Sequence, residues 1–153
     1  MSGSGLAESR SAGHGGASEV LALSGTTSSV ISFRAVVQSS FTVCSVTRYT
    51  GGAKKAILGG QGDWLHGHWS GNAGVAYYPG WKTTHLGNVS PDTDWVVMCG
   101  TNAGSQLKLV NGVDVGTATG GTGGVSLFVN AGAVGGENSD FAIAEVVVWP
   151  RVA

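Results

Sequence analysis

Short runs rich in Val, Ile, Phe, Trp and Thr recur from residue 19 onward, separated by clusters of Gly, Ser, Asn and Thr. This rhythm is that of an all-β sandwich, whose strands are short and whose turns carry the small and polar residues. The runs that read as strands are 19–23, 30–34, 41–47, 56–58, 64–69, 74–78, 95–101, 107–110, 113–117, 126–129 and 141–149. No window of about twelve residues or more shows a helical period. The firmest local feature is Asn111-Gly112, set between the run 107–110 and Val113. A two-residue type I′ turn needs positive φ at both central residues, and Asn-Gly adopts it with least strain, so a hairpin is expected there.

Composition narrows the classes of function. A chain of 153 residues suits one domain, and at this size folding hides about 70% of the surface of the unfolded chain. Only 11% of residues are charged, against about 25% in ordinary soluble domains, so the surface is unusually neutral. The net charge is -1 and the longest basic run is the pair Lys54-Lys55. Nothing here offers the electrostatic footprint that a nucleic acid needs, and nucleic acid is excluded as a partner. No apolar run approaches the roughly 20 residues that would insert into a membrane. Residues 1–18 are Gly, Ser and Ala with isolated charges. They read as a flexible arm that orders only against a partner, leaving 19–153 as the folded domain. The arm lacks the apolar stretch of about 7 to 15 residues of a secretion signal, which implies a product made without one or already processed.

Five segments in order then carry a family resemblance. They are 40–48 (SFTVCSVTR), 56–60 (AILGG), 94–101 (DWVVMCGT), 107–116 (LKLVNGVDVG) and 141–151 (FAIAEVVVWPR). Together they resemble the laminin-G-like, concanavalin A-like jelly roll, with its "F-T-V" strand, its "I-L-G" strand, a Trp-led strand, an "L-x-V-N-G-x-x-V-G" hairpin and a closing "I-x-E-V-x-V-[YW]-x-R" strand. The resemblance spans about residues 19–153 and implies two antiparallel sheets packed face to face, a β-sandwich preceded by the flexible or partner-ordered arm. It also allows the strands of Cys44 and Cys99 to be neighbours, in which case a disulfide would close a long loop. Without a secretion signal, the alternative is two buried thiols kept reduced.

The fold serves many functions, so the chemistry has to come from particular residues. Strand alternation over 64–69 places Trp64, His66 and His68 on one face and Leu65, Gly67 and Trp69 on the other. Two imidazoles side by side suggest a metal, but only Asp63 or His85 could supplement them, and a polar strand face is the plainer reading. Between 64 and 81 the chain gathers Trp64, Trp69, Tyr77, Tyr78 and Trp81 beside His66, His68, Asn72 and Lys82. Sugar rings present apolar C–H faces and hydroxyl rims, so this density of aromatic and polar groups marks Trp64, His66, His68, Trp69, Asn72, Tyr78 and Trp81 as a glycan site. The competing reading places most of these aromatics in the core.

Glucanases of the resembled fold carry paired acids on one strand, in a pattern like "E-x-D-x-x-E". This chain has none: Glu145 stands alone in its strand, and Glu137 and Asp140 sit in the preceding loop without strand alternation. No enzyme is expected. Some relatives bind calcium, and Asn138 and Asp140 are the candidate ligands, with Asp63 or Asp114 as supplements; otherwise no cofactor is implied. Asn88-Val-Ser90 fits a glycosylation sequon. In the closing strand the resemblance turns Ala142, Ala144, Val146 and Val148 toward the core, leaving Phe141, Ile143, Val147 and Trp149 as an apolar outer face. A strand apolar on both sides is covered on both sides, here by the arm, a loop or another subunit. The expected function is therefore a non-catalytic adhesion module on an extracellular or virion surface that recognises glycans through residues 64–82, with help from loop residues around Asn138. The alternative is a structural subunit of a large assembly, such as a phage capsid decoration, fibre or tail protein, and a homo-oligomer is compatible with either.

Overall fold

The computed structural model describes residues 1–13, 19–131 and 136–150. Among these the chain forms strands β1 (Ser2–Ser4), β2 (Ala7–Ser11), β3 (Val20–Gly25), β4 (Val30–Val37), β5 (Thr42–Tyr49), β6 (Leu58–Gly60), β7 (Trp64–Trp69), β8 (Asn72–Tyr77), β9 (Val96–Thr101), β10 (Lys108–Val110), β11 (Val113–Asp114), β12 (Val125–Val129) and β13 (Phe141–Trp149). No helix occurs among the described residues. The strands make two antiparallel sheets, one of six in the order β1-β4-β12-β6-β7-β8 and one of seven in the order β11-β10-β9-β5-β13-β3-β2. Packed face to face, they form the β-sandwich that the sequence rhythm predicts.

Alternation builds the core. In β5 the residues Val43, Ser45, Thr47 and Tyr49 are buried while their neighbours are half-exposed. Val43 and Tyr49 join Phe41, Ile57, Leu58, Trp64, Met98, Leu127 and Phe141 between the sheets. Cys44 lies directly across from Cys99 on the other side of the β5–β9 ladder, and the two form a disulfide. The hairpin expected at Asn111-Gly112 joins β10 to β11, with φ of 49° and 85° at its two central residues and Val110 paired to Val113.

Two expectations are corrected. The stretch read as a tail contributes two strands: β1 pairs with β4 in one sheet and β2 pairs with β3 in the other. The chain changes sheet at Gly5-Leu6, where Leu6 packs against the core and the Ser29 hydroxyl donates to the Gly5 carbonyl at 2.5 Å. The rest of the arm, residues 14–18, lies outside the described residues.

The closing strand is the second correction. In β13 the pairing steps from Ile143 opposite Thr47 to Glu145 opposite Val46, so Ala144 is an inserted bulge residue. A bulge reverses the in–out phase of a strand. Before it, Phe141 and Ile143 point into the main core, and after it Val146 and Val148 do. Phe141 and Ile143 are therefore core residues, not an interface. Ala142, expected inside, packs instead with Ala22 and Trp95 in a small separate cluster. Val147 and Trp149 keep the outward face foreseen for them, Trp149 remaining 45% exposed.

Candidate functional site

The β7–β8 hairpin divides the expected glycan residues between two faces. Its turn is Ser70-Gly71, with φ of 50° and 80° and Trp69 paired to Asn72. On the inner face Trp64, His66, His68 and Tyr78 are 2% exposed or less. Trp64 stacks on Tyr78 at 4.8 Å between ring centroids, and Phe41 meets both rings edge-on. Enclosed between the sheets, these four side chains are out of reach of a sugar, and their assignment to the site is corrected.

The two histidines have structural partners. The Met98 carbonyl can only accept, so His66 Nε2–H donates to it at 3.2 Å, which leaves Nδ1 to accept from the Tyr78 hydroxyl at 2.7 Å. His68 Nδ1 shares a hydrogen bond with Thr47 Oγ1 at 3.3 Å. Burial penalises the charged imidazole and pulls the pKa of His66 down to about 4, against a smaller raising effect of the Met98 hydrogen bond. Burial and the neighbouring His66 pull His68 down to about 3. Both rings are neutral at physiological pH. No group of three or more His, Cys, Asp or Glu residues converges among the described residues, so the two imidazoles find no further ligand.

The outer face of the same hairpin carries a different cluster. Trp81 stands between Trp69, at 5.3 Å and 65° between rings, and Tyr77, at 5.4 Å and 79°; His85 lies 5.7 Å away, tilted by 48°. Beneath them Ala56, Leu65 and Val75 form a small apolar floor. Local sequence explains the placement. Pro79-Gly80 turns the chain back so that Trp81 bridges to Tyr77, the Lys82 amide donates to the Ala76 carbonyl at 2.9 Å, and Gly80 takes a φ of 106° that suits glycine. From the opposite side Trp69 Nε1–H donates to Glu137 Oε1 at 3.4 Å. The rings are half-buried and His85 is exposed, so the cluster is an aromatic surface patch with an imidazole and a carboxylate beside it.

Of the expected residues, then, Trp69 and Trp81 meet here, and Asn72 sits at the adjoining turn. Asn72 holds the loop that carries His85, because its carbonyl oxygen accepts from the Gly87 amide at 2.9 Å while its amide donates to Ser70 at 3.3 Å. Tyr77, His85 and Glu137 were not in the expected set. Tyr77 is legible as the residue of opposite phase to Tyr78; Glu137 belongs to the loop around Asn138, and that it is the residue reaching Trp69, 68 positions away, has no local signal.

The remaining candidates are occupied in bracing loops. Asn138 Nδ2 donates to the Thr27 carbonyl at 2.9 Å and Asp140 Oδ2 accepts from the Ala53 amide at 3.1 Å, so the two proposed calcium ligands each hold a separate segment. Asp114 accepts from the Gly116 and Lys108 amides, and these hydrogen bonds keep its carboxyl below the usual range. The amide of Asn88, the sequon residue, donates to the Gly74 carbonyl at 2.7 Å. Two lysines are buried: Lys82 donates to the Thr119 carbonyl and Lys108 to that of Gln106. Burial, then repulsion from Lys82, lowers the pKa of Lys108.

No family model, curated protein or solved structure matches this chain.

Proposed function

We propose that this domain is a non-catalytic binding module whose ligand is a glycan, held at the aromatic patch of Trp69, Tyr77 and Trp81. The observation that carries the reading is the outward aromatic cluster itself, which keeps its rings at the surface on an apolar floor with His85 and Glu137 beside them. An aromatic wall offers its face to the C–H side of a pyranose, and an imidazole and a carboxylate match its hydroxyls. The absence of paired strand carboxylates in the sequence favours binding over hydrolysis.

The test is a glycan array followed by calorimetric titration of the sugars retained, with W81A and W69A as variants and W149A as a control away from the patch. Binding that falls about tenfold or more in W81A and W69A but not in W149A is expected. A uniformly silent array, or affinity indifferent to both patch variants, rejects the reading.

A second reading, a subunit of a larger assembly, rests on the outer face of the seven-stranded sheet. There Val97 and Trp149 remain 48% and 45% exposed beside the half-buried Val147. Exposed apolar positions on one sheet face suit burial against a neighbouring molecule. V97E and W149E would lower the mass of such an assembly; unchanged mass removes this reading.

A further inference from the structure

We propose that the free edge of β2 pairs antiparallel with β2 of a second copy, joining two seven-stranded sheets into one across a two-fold axis at Ser9. Among the described residues β2 ends its sheet, with β3 on one side only, and its five residues Ala7-Glu-Ser-Arg-Ser11 contain neither Pro nor a bulge that would block an incoming strand.

Charge selects the partner. In a continuous sheet with the two-fold axis perpendicular to it, directly opposed residues point to the same face, so the axis must pass through a residue rather than between two. Centred on Ser9, Glu8 lies opposite Arg10 of the other copy and Arg10 opposite its Glu8, with Ala7 and Ser11 opposed at the ends; all five residues are used. Centred on Glu8 the two carboxylates collide at the axis, and centred on Arg10 the two guanidinium groups do. Opposed unlike charges favour a cross-strand register and like charges disfavour it, so the strand is complementary to itself in one register. Both side chains are exposed to meet a partner. Arg10 binds Glu19 at 3.0 Å through Nη1, at a pair more than half exposed, and its planar fork has further donors for a second carboxylate.

Apolar exposure marks the same edge. Next to β2, on the face that Glu8 and Arg10 share, Leu23 and Leu21 are 43% and 53% exposed. They line an open groove of about 660 Å³ between the sheets, together with Leu6, Ile31, Phe33 and Ile143, and Glu8 stands at its mouth. A second copy at this edge narrows access to that groove. It also makes the module bivalent: β8, beside the aromatic patch, is at the end of its sheet opposite to β1, so the two patches lie away from the junction. The pairing does not depend on what the aromatic patch binds.

The experiment is sedimentation velocity and light scattering of the full chain over a concentration series, with E8R and R10E measured singly and as an equimolar mixture, folding being checked by far-ultraviolet circular dichroism. The unaltered chain is expected to have the mass of two copies. E8R places arginines, and R10E glutamates, at all four opposed positions, so each alone should dissociate with a dimer dissociation constant raised about tenfold or more. Mixed, they oppose Arg to Glu at every position, and the two-copy mass should return. A monomer at all concentrations, a dimer that survives in E8R and R10E alike, or a mixture that stays dissociated would each overturn the proposal.

Discussion

His66 and His68 illustrate what a single residue type conceals. Period-two geometry correctly puts both on one strand face with Trp64, but it does not say whether that face meets water or the opposing sheet. The structure closes it against Met98, Thr47 and Tyr78, and the imidazoles become neutral core groups. This has a consequence for acid stability. Below about pH 6.5 the unfolded chain protonates both rings, whereas the folded chain keeps them neutral down to about 4 and about 3. The unfolded state then binds more protons, so stability falls as pH falls through that window, by on the order of 3 kcal/mol for His66 alone near pH 4. Urea titrations from pH 7 to pH 4 should show this decline, and H68Q should make it shallower by roughly half, leaving the part that belongs to His66. A profile level across the range would mean that the rings are solvated.

At the scale of elements, turns were the most legible features and pairings between distant strands the least. Asn111-Gly112 announces its hairpin because the residues alone satisfy the required φ values, and the β10–β11 register follows. Cys44 and Cys99 carry no comparable local signal, since whether they meet depends on β5 lying beside β9. The bulge at Ala144 is likewise invisible in the apolar pattern, which is hydrophobic at both phases and so indifferent to a slip of one residue. The disulfide spans a sequence separation of 55, and in the chain-entropy account closing a loop of that length contributes about 4 kcal/mol. A C44A/C99A variant should therefore unfold at markedly lower urea than the oxidised protein, by several kcal/mol in extrapolated free energy. Reductant should shift the oxidised protein in the same direction and leave the variant unchanged.

For the whole molecule, the N-terminal residues are part of the sandwich. β1 and β2 border opposite sheets, and Leu6 between them fills a place in the core. Removing residues 1–11 would strip both sheets of an edge strand and uncover the groove lined by Ile31 and Phe33. The loss of Leu6 alone should cost about 2 kcal/mol, visible as a lower urea midpoint; a truncated protein as stable as the full chain would restore the reading of this stretch as a tail. The arm was misread because its Gly, Ser and charged residues have little intrinsic strand preference, and they become strands by supplying backbone hydrogen bonds to edges that β3 and β4 already present.

What the sequence determined by itself was the class of fold, the position of most strands, the Asn-Gly hairpin and the alternation that divides the β7 side chains between two faces. Those properties rest on local sterics and on the period of the apolar pattern. Only the tertiary structure decided which of two similar faces is enclosed, which cysteines are neighbours, where β13 changes phase and that Glu137 reaches Trp69. Each of these depends on a surface supplied by a remote segment, and burial is a property of that pairing of surfaces, absent from either strand alone.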